Sequence, residues 1–578
     1  MPGDSLKINI NSTGIQKNTY DAIVIGSGIS GGWAAKELCE KGLKTLVLER
    51  GRNVVHKKDY PTAMMNPWDF PHRGSITNKF LKQNPLITEA AGFDESTSHF
   101  FIKDNGHPYV QEKPFEWIRG YQVGGKSLIW GRACPRWSKH EFINPAKLGY
   151  GIEWPISYDD IAPWYSQVEI FAGICGNKDG LESMPDGEYL PPYDFNCAEK
   201  DLKQKINAKY KDRFIIQGRW AQLSQAKEIH LKQGRGTCLV RDECMRGCPF
   251  GGYFSSVSST LPWAEKTGNL TIRPFSVVHS IIYDEMKNKA TGVRVIDANT
   301  HQATEYFSKI IFVNASALNS NLILLNSTSI RFPKGFGNDN GLLGKYVCFQ
   351  NYRGSVGGDV EGYEDKYYYG RRTAECMMPN FRNLLTQDTD FVGGYMAFTA
   401  CCRGRGIHDE QSSLQIGAVY KDAMREAGNW RMYMYMQGET IPKKENHVAL
   451  SADKKDQWGI PLLVTNVGYD DNDEKLLKDF LTQSSEMLDS SGIKNIKQYD
   501  NHWAPGRDIH EMGGCRMGKD PKTSLLNKWN QFHNCKNVFV TDGACMTSTA
   551  NQSPSILYMA LTARAANYGV EELKKGNI

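Results

Sequence analysis

Nothing in this chain approaches 18 consecutive apolar residues, so the sequence contains no candidate for a bilayer-spanning helix. The opening residues Met1-Pro-Gly-Asp-Ser-Leu-Lys lack the apolar core of a secretory signal, and by itself the chain is expected to stay soluble and unexported. An excess of one charge is missing too. Against 64 acidic residues stand 69 basic ones, a net +5 over 578 residues with no long basic run, so nucleic acid is not an expected partner. Cysteine is sparse: 14 residues cannot form a disulfide scaffold in a chain this long. Internal repeats and low-complexity tracts are absent, which sets aside arrays and solenoids. What remains is a globular chain of about two to four domains, with apolar content (40%) sufficient to bury their cores.

Near the start, Asp21-Ala-Ile-Val-Ile-Gly26-Ser-Gly28-Ile-Ser-Gly31-Gly32 runs through Trp33-Ala-Ala-Lys-Glu-Leu and Lys44-Thr-Leu-Val-Leu48 into Glu49-Arg50-Gly51. This reads as strand, glycine turn, helix, strand and acidic cap, the unit that binds a dinucleotide. Gly26 permits the tight turn, Gly28 lets backbone N–H groups approach a pyrophosphate, Gly31 lets the helix lie close to the strand, and Glu49 can hold a ribose hydroxyl. A glycine turn without a ligand is the bland alternative, and the flanking strand, helix and acid argue against it.

Residues 1–17 read as a loose polar arm, and 53–116 as an aperiodic covering segment over a ligand. Helical spacing occupies 153–172 and 199–210, while 270–313 alternates as strands returning to the nucleotide sheet. Between about 346 and 500, strand-like runs such as Trp430-Arg-Met-Tyr-Met-Tyr-Met lie between charged turns, with a helix near 472–490. The fold class is therefore α/β in its Rossmann-like part, α+β overall, with a second, largely antiparallel sheet domain.

Three cysteines crowd into Cys238-Leu-Val-Arg-Asp-Glu-Cys244-Met-Arg-Gly-Cys248-Pro249. Proline directly after the last cysteine is a habit of iron–sulfur ligation loops, and three thiols suggest a cluster. Zinc would need a fourth ligand, for which His230 is the nearest candidate, and unliganded thiols are the third reading.

Taken in order, the motifs resemble those of the glucose-methanol-choline (GMC) family of flavoprotein oxidoreductases over nearly the whole chain. The carriers are the first fingerprint, Gly120-Tyr-Gln-Val-Gly124-Gly125-Lys-Ser127-Leu-Ile-Trp130-Gly131, Asn314-Ala-Ser-Ala317, His510-Glu-Met-Gly513-Gly514-Cys-Arg-Met-Gly518, Val540-Thr-Asp542-Gly543 and Asn551-Gln-Ser-Pro554. Ala315 and Asn321 depart from the family's usual glycine and proline. The resemblance implies FAD, contacted by Gly26, Gly28, Gly31, Glu49, Arg50, Gly124, Gly125, Ser127, Val278, Asp542 and Gly543. It implies an FAD-binding domain over 18–345 and 501–578, with a substrate-binding domain over 346–500.

Oxidising an alcohol sends hydride to the flavin and the hydroxyl proton to a base, which a neutral imidazole can supply. The resemblance puts that imidazole at His510 and the second polar group at Asn551; Asn551 read as a cap for the helix that follows is the alternative, and both roles can coexist. The cysteine spacing is similar to that of bacterial flavin sugar dehydrogenase catalytic subunits, implying a 3Fe-4S cluster on Cys238, Cys244 and Cys248 that relays electrons to a cytochrome or another acceptor. Those subunits travel to the periplasm with a small signal-bearing partner; cytoplasmic retention is the alternative. The implied substrate is a sugar or glucoside, oxidised at ring C3. Glucose 1-dehydrogenase, another polyol or sugar-acid dehydrogenase, and a GMC oxidase are the competing activities. Tyr367–Tyr369 and Trp430–Met436 would suit stacking on sugar rings, or would be ordinary core.

Overall fold

A computed structural model describes residues 18–366, 375–405, 416–425 and 427–578. The polar arm 1–17 and the aromatic run Tyr367–Tyr369 lie outside the described residues. The strand Thr19–Ile25 pairs in parallel with Thr45–Leu48 on one side and Ala303–Val313 on the other. Leu270–Arg273 extends the sheet beyond Thr45–Leu48, also in parallel. Lys289–Asp297 and Ser276–Asp284 continue it as antiparallel neighbours, and Val538–Val540, from the far end of the chain, adds to Ala303–Val313 in parallel. The parallel strands are apolar on both faces because helices cover both: Ala22, Ile23, Val24, Leu46, Val47 and Ile310 to Val313 are buried. The helix Ile29–Glu40 packs on the terminal helix Ser555–Lys575, and Asn567 Nδ2 donates to Glu37 Oε2 at 2.9 Å across that contact.

A second sheet is antiparallel throughout, in the order Lys494–Asp500, Gly354–Val360, Ala427–Glu439, Tyr395–Arg405, Cys376–Met378 and Ile216–Gln217. Its back is covered by Asp471–Ser490, a helix started by Asp470, whose carboxylate accepts from the N–H groups of Asn472 and Asp473. Trp430, Met432, Met434 and Met436 turn into that core while Tyr433 and Tyr435 face the other way, the period-two pattern of a half-buried strand. A five-stranded sheet joins the two regions and draws on Val110–Gln111, Lys345–Cys348, His447–Lys455, Pro461–Asn466 and Met512–Gly514. Among the described residues no helix is long and apolar enough to cross a membrane.

Candidate functional site

Between the central sheet and the antiparallel sheet lies a cavity of about 650 Å³. The glycine turn forms one part of its wall. Gly26 has φ +96°, and a Cβ there would lie 2.3 Å from Asn314 O; a Cβ on Gly31 would lie 1.9 Å from Gly26 O, so only glycine lets the helix start this close to the strand. Gly28 differs: its Cβ would meet no protein atom within 4 Å, and the residue lines the cavity. Gly125, with φ +50°, brings the second glycine loop to Gly28, where a Cβ would lie 3.2 Å from Gly28 Cα.

The two loops are tied by Ser27, a residue the sequence reading passed over. Its hydroxyl donates to Glu49 Oε2 at 2.5 Å and accepts from the Gly124 N–H at 3.0 Å. Glu49 also accepts from the Gly51 N–H, and burial raises its pKa against those hydrogen bonds. Arg50 lies 4.6 Å from the Tyr121 ring centroid and 4.7 Å from that of Trp458, with Asp456 at 3.5 Å. Ser127 donates to Gly124 O and Val278 stands on the strand Ser276–Asp284; both line the cavity. At the end of Val538–Val540, Asp542 accepts from Ser320 Oγ at 2.5 Å, and burial lifts its carboxyl to about 6. Arg50, Asp542 and Gly543 line the same cavity; Gly31 and Gly124 shape its loops from behind. Several wall atoms are buried without a protein partner, among them Ser30 Oγ, Arg50 Nε, Asn314 Nδ2 and Tyr558 OH. Bare backbone and unpaired polar atoms together fit a long polar ligand such as a dinucleotide.

His510 also lines the cavity, and its ring is oriented by Gln350. The Gln350 amide nitrogen donates to the Ala550 and Gln552 carbonyls, which turns Oε1 toward His510 Nδ1 at 2.6 Å. Nδ1 must therefore carry the proton, leaving Nε2 with the lone pair. Burial, helped by the charge of Lys126, lowers the His510 pKa to about 3, so the ring is neutral throughout the physiological range. Lys126 is itself paired with Glu511 at 3.0 Å. Asp508, which accepts from the Gln350 N–H at 2.7 Å, is pushed up by burial to about 8.

Asn551 is buried behind the cavity lining. Its side chain is off the cavity wall, with a buried and unbonded Oδ1, and the residue before the terminal helix is Pro554, so it caps nothing. The cause is the backbone: Gln350 holds the carbonyls of Ala550 and Gln552 while Gln437 Nε2 holds that of Asn551 at 2.7 Å. That anchoring leaves Ser553 on the wall, its Oγ donating to Gln437 Oε1 at 3.3 Å. Asn321 is a second residue whose part was hidden: its amide links Ala317 O to Gly513 O, joining the helix Ala317–Asn326 to the histidine loop.

Of the three cysteines only Cys244 lines the cavity. Among the described residues no three His, Cys, Asp or Glu side chains are gathered to hold a single metal ion, yet the three thiols are neighbours: burial raises the Cys244 pKa, and Cys238 and Cys248 add to the shift. Each sulfur is turned to a local donor: Cys238 Sγ to the Val240 N–H, Cys248 Sγ to the Gly252 N–H, and Cys244 Sγ to Gln222 Nε2. Both ring nitrogens of His230 are engaged, by the Lys227 N–H and Ile170 O, which leaves no lone pair for zinc.

Comparison with known proteins agrees with this geometry. Two family models described as GMC oxidoreductase match residues 20–331 and 442–562. The chain is 27% identical to a 2-methyl-1,2-propanediol dehydrogenase from Mycolicibacterium austroafricanum, over 95% of this chain and 94% of that one. It is 26% identical to the fructose dehydrogenase large subunit of Gluconobacter japonicus, over 96% and 98%. A solved structure of Aspergillus oryzae formate oxidase, concerned with its FAD modification, covers 96% of this chain and 99% of its own at a TM-score of 0.58 and 13% identity, a likeness of fold. The glycine turn, the histidine loop and these matches across both ends of the chain place the protein in the GMC oxidoreductase family.

Proposed function

We propose that the protein is an FAD-dependent dehydrogenase that oxidises a secondary hydroxyl of a sugar, at C3 of glucose, glucosides or disaccharides, to give a 3-keto sugar. The observation that carries this reading is His510, a neutral imidazole of fixed tautomer on the wall of a cavity whose other end is a dinucleotide cradle. Gly26, Gly28, Gly125, Glu49, Arg50, Val278, Asp542 and Gly543 would hold FAD, with 18–345 and 501–578 forming its domain and 346–500 the substrate side. When bound, FAD supplies the hydride acceptor. His510 Nε2 takes the hydroxyl proton as the C–H bond breaks. A base of low pKa suffices, because a hydroxyl losing its carbon's hydride becomes as acidic as a protonated carbonyl. Gln350 accepts from Nδ1 throughout and stabilises the imidazolium that forms. Ser553, set against Gln437, takes the alcohol-orienting part expected of Asn551.

Gln350→Glu tests the positioning. A carboxylate beside Nδ1 gives up the donation to the Ala550 and Gln552 carbonyls, but it favours imidazolium, raises the His510 pKa and removes the base as pH falls through it. The variant is expected to show an acid limb in kcat/KM between about pH 5 and 7, where the wild type is flat, with flavin content unchanged. Identical profiles for the two proteins would mean that Gln350 does not act through the ring.

The second part of the proposal is a 3Fe-4S cluster on Cys238, Cys244 and Cys248. Its support is the spacing before Pro249, the N–H donors at two of the sulfurs and the place of Cys244 on the cavity wall. A small signal-bearing subunit, a cytochrome or similar acceptor and periplasmic location belong to the same reading; the fructose dehydrogenase relative is by name a large subunit. Anaerobic mixing of the native protein with methyl glucoside is expected to bleach flavin bands lying over a broad iron–sulfur shoulder, with NMR giving the 3-keto product. A lactone product would redirect the reading to glucose 1-dehydrogenase. Peroxide formation by a preparation without iron or sulfide would redirect it to an oxidase.

A further inference from the structure

The antiparallel sheet gives the cavity a wall that proton and hydride transfer do not use. Glu375 stands just before the strand Cys376–Met378, and its backbone carbonyl accepts from Trp220 Nε1 at 3.0 Å. Gly218 lies so near that a Cβ there would be 2.2 Å from the same carbonyl, so only glycine lets the two segments come this close. Two strands away, beyond Tyr395–Arg405, the strand Ala427–Glu439 carries Tyr433, Tyr435 and Gln437 in a row on the side opposite its buried methionines. The two tyrosine rings stack at 6.0 Å and 12°, and both phenols donate to the Glu375 carboxylate, Tyr433 OH to Oε1 at 2.8 Å and Tyr435 OH to Oε2. Tyr435 also stacks on Phe398 at 5.2 Å and meets Tyr352 at 5.3 Å. Glu375, Tyr352, Phe398, Tyr435, Gln437 and Ser553 all line the cavity.

A phenol whose O–H is already donated to a carboxylate can only accept from a ligand, and a carboxylate only accepts. The wall therefore offers acceptors flanked by aromatic faces. An apolar or monohydric alcohol brings nothing to pair with it, whereas a ring bearing several hydroxyls brings donors for the acceptors and C–H faces for the rings. We propose that Glu375 with Tyr435 is a hydroxyl-reading subsite that positions a polyhydroxylated ring, so that the hydroxyl to be oxidised reaches His510. This inference rests on the sugar dehydrogenase reading above and names the residues that would select its substrate class.

The test is a cycle between protein and substrate. Wild type and Glu375→Gln holoenzymes are mixed anaerobically with the sugar that bleaches the wild-type flavin fastest and with each of its monodeoxy analogues. Wild type is expected to lose about 10- to 100-fold in kcat/KM with one analogue, the effect of a missing hydrogen bond to a charged group. Glu375→Gln should lose a similar factor with the parent sugar and little more with that analogue, while its oxidised flavin spectrum and melting temperature stay those of the wild type. If the variant instead lowers the parent and every analogue by one common factor, the carboxylate is a buttress and the subsite is overturned. Should Glu375→Gln fail to fold, Tyr435→Phe, which keeps the ring and its stacking, carries the same cycle with the same two outcomes. A wild-type flavin bleached by none of glucosides, fructose and gluconate would take down the sugar reading itself, a result distinct from an additive cycle on an enzyme that those sugars do reduce.

Discussion

His510→Ala is expected to keep its flavin and lose about two to four orders of magnitude in the rate of flavin reduction, the usual worth of a positioned general base. Three other ionisable groups stand nearby on the same wall, and their states decide against them as substitutes. Asp508 is lifted by burial to about 8, so below that pH it holds a proton and cannot take one. Glu511 is committed to Lys126, and Lys126 is a cation. The histidine is neutral because burial and Lys126 lower its pKa to about 3. From that sign follows a pH profile: the base is present above about pH 3, so kcat/KM should be flat from pH 5 to 7, without the limb near 6.5 that an ordinary imidazole gives. Stopped-flow reduction at saturating sugar gives the first number and the pH series the second. A variant within about fivefold of wild type would move the base elsewhere, and an acid limb at 6.5 would mean that His510 is solvated in the working enzyme.

The cradle was legible in the sequence and much of the catalytic wall was not, for one physical reason. Glycine requirements are local: Gly26 needs a positive φ and Gly31 needs room for a neighbouring carbonyl, so residue type and spacing announce them. Period-two alternation likewise marks Ala427–Glu439, and the apolar period of 472–490 marks its helix. Gln350, by contrast, sits in a two-residue strand, 160 positions from the histidine it orients, and nothing about an isolated glutamine signals that role. Glu375 and Ser27 are equally ordinary in sequence. Asn551 was assigned by motif, and the motif could not show that Gln350 and Gln437 hold the loop by its carbonyls and leave Ser553 on the wall. The cysteine spacing read clearly as a loop of ligands, whereas the direction of each sulfur depends on donors as distant in sequence as Gln222.

Two glycines of the same fingerprint should fail in different ways. At Gly31 an added Cβ would lie 1.9 Å from Gly26 O, 2.8 Å from Gly26 C and 3.4 Å from Val24 Cγ1. Backbone cannot rotate away as a side chain can, so Gly31→Ala must lift the helix Ile29–Glu40 from the strand, at a cost of about 1–3 kcal/mol or more. That shift also opens the turn whose N–H groups would face the phosphates. At Gly28 the backbone has φ −67°, which alanine adopts freely, and the added Cβ meets no protein atom within 4 Å. It points instead to the space left for the ligand, since Gly28 lines the cavity. Gly31→Ala is therefore expected to lower the melting temperature of the flavin-free protein and to abolish flavin binding. Gly28→Ala should melt like the flavin-free wild type yet bind FAD at least about tenfold more weakly, because the pyrophosphate can no longer approach the bare backbone. Differential scanning of the deflavinated proteins and titration with FAD separate the two. If Gly28→Ala bound FAD as tightly as wild type, the phosphates would not pass over this turn, and the cradle would have to be moved to the Gly124-Gly125 loop.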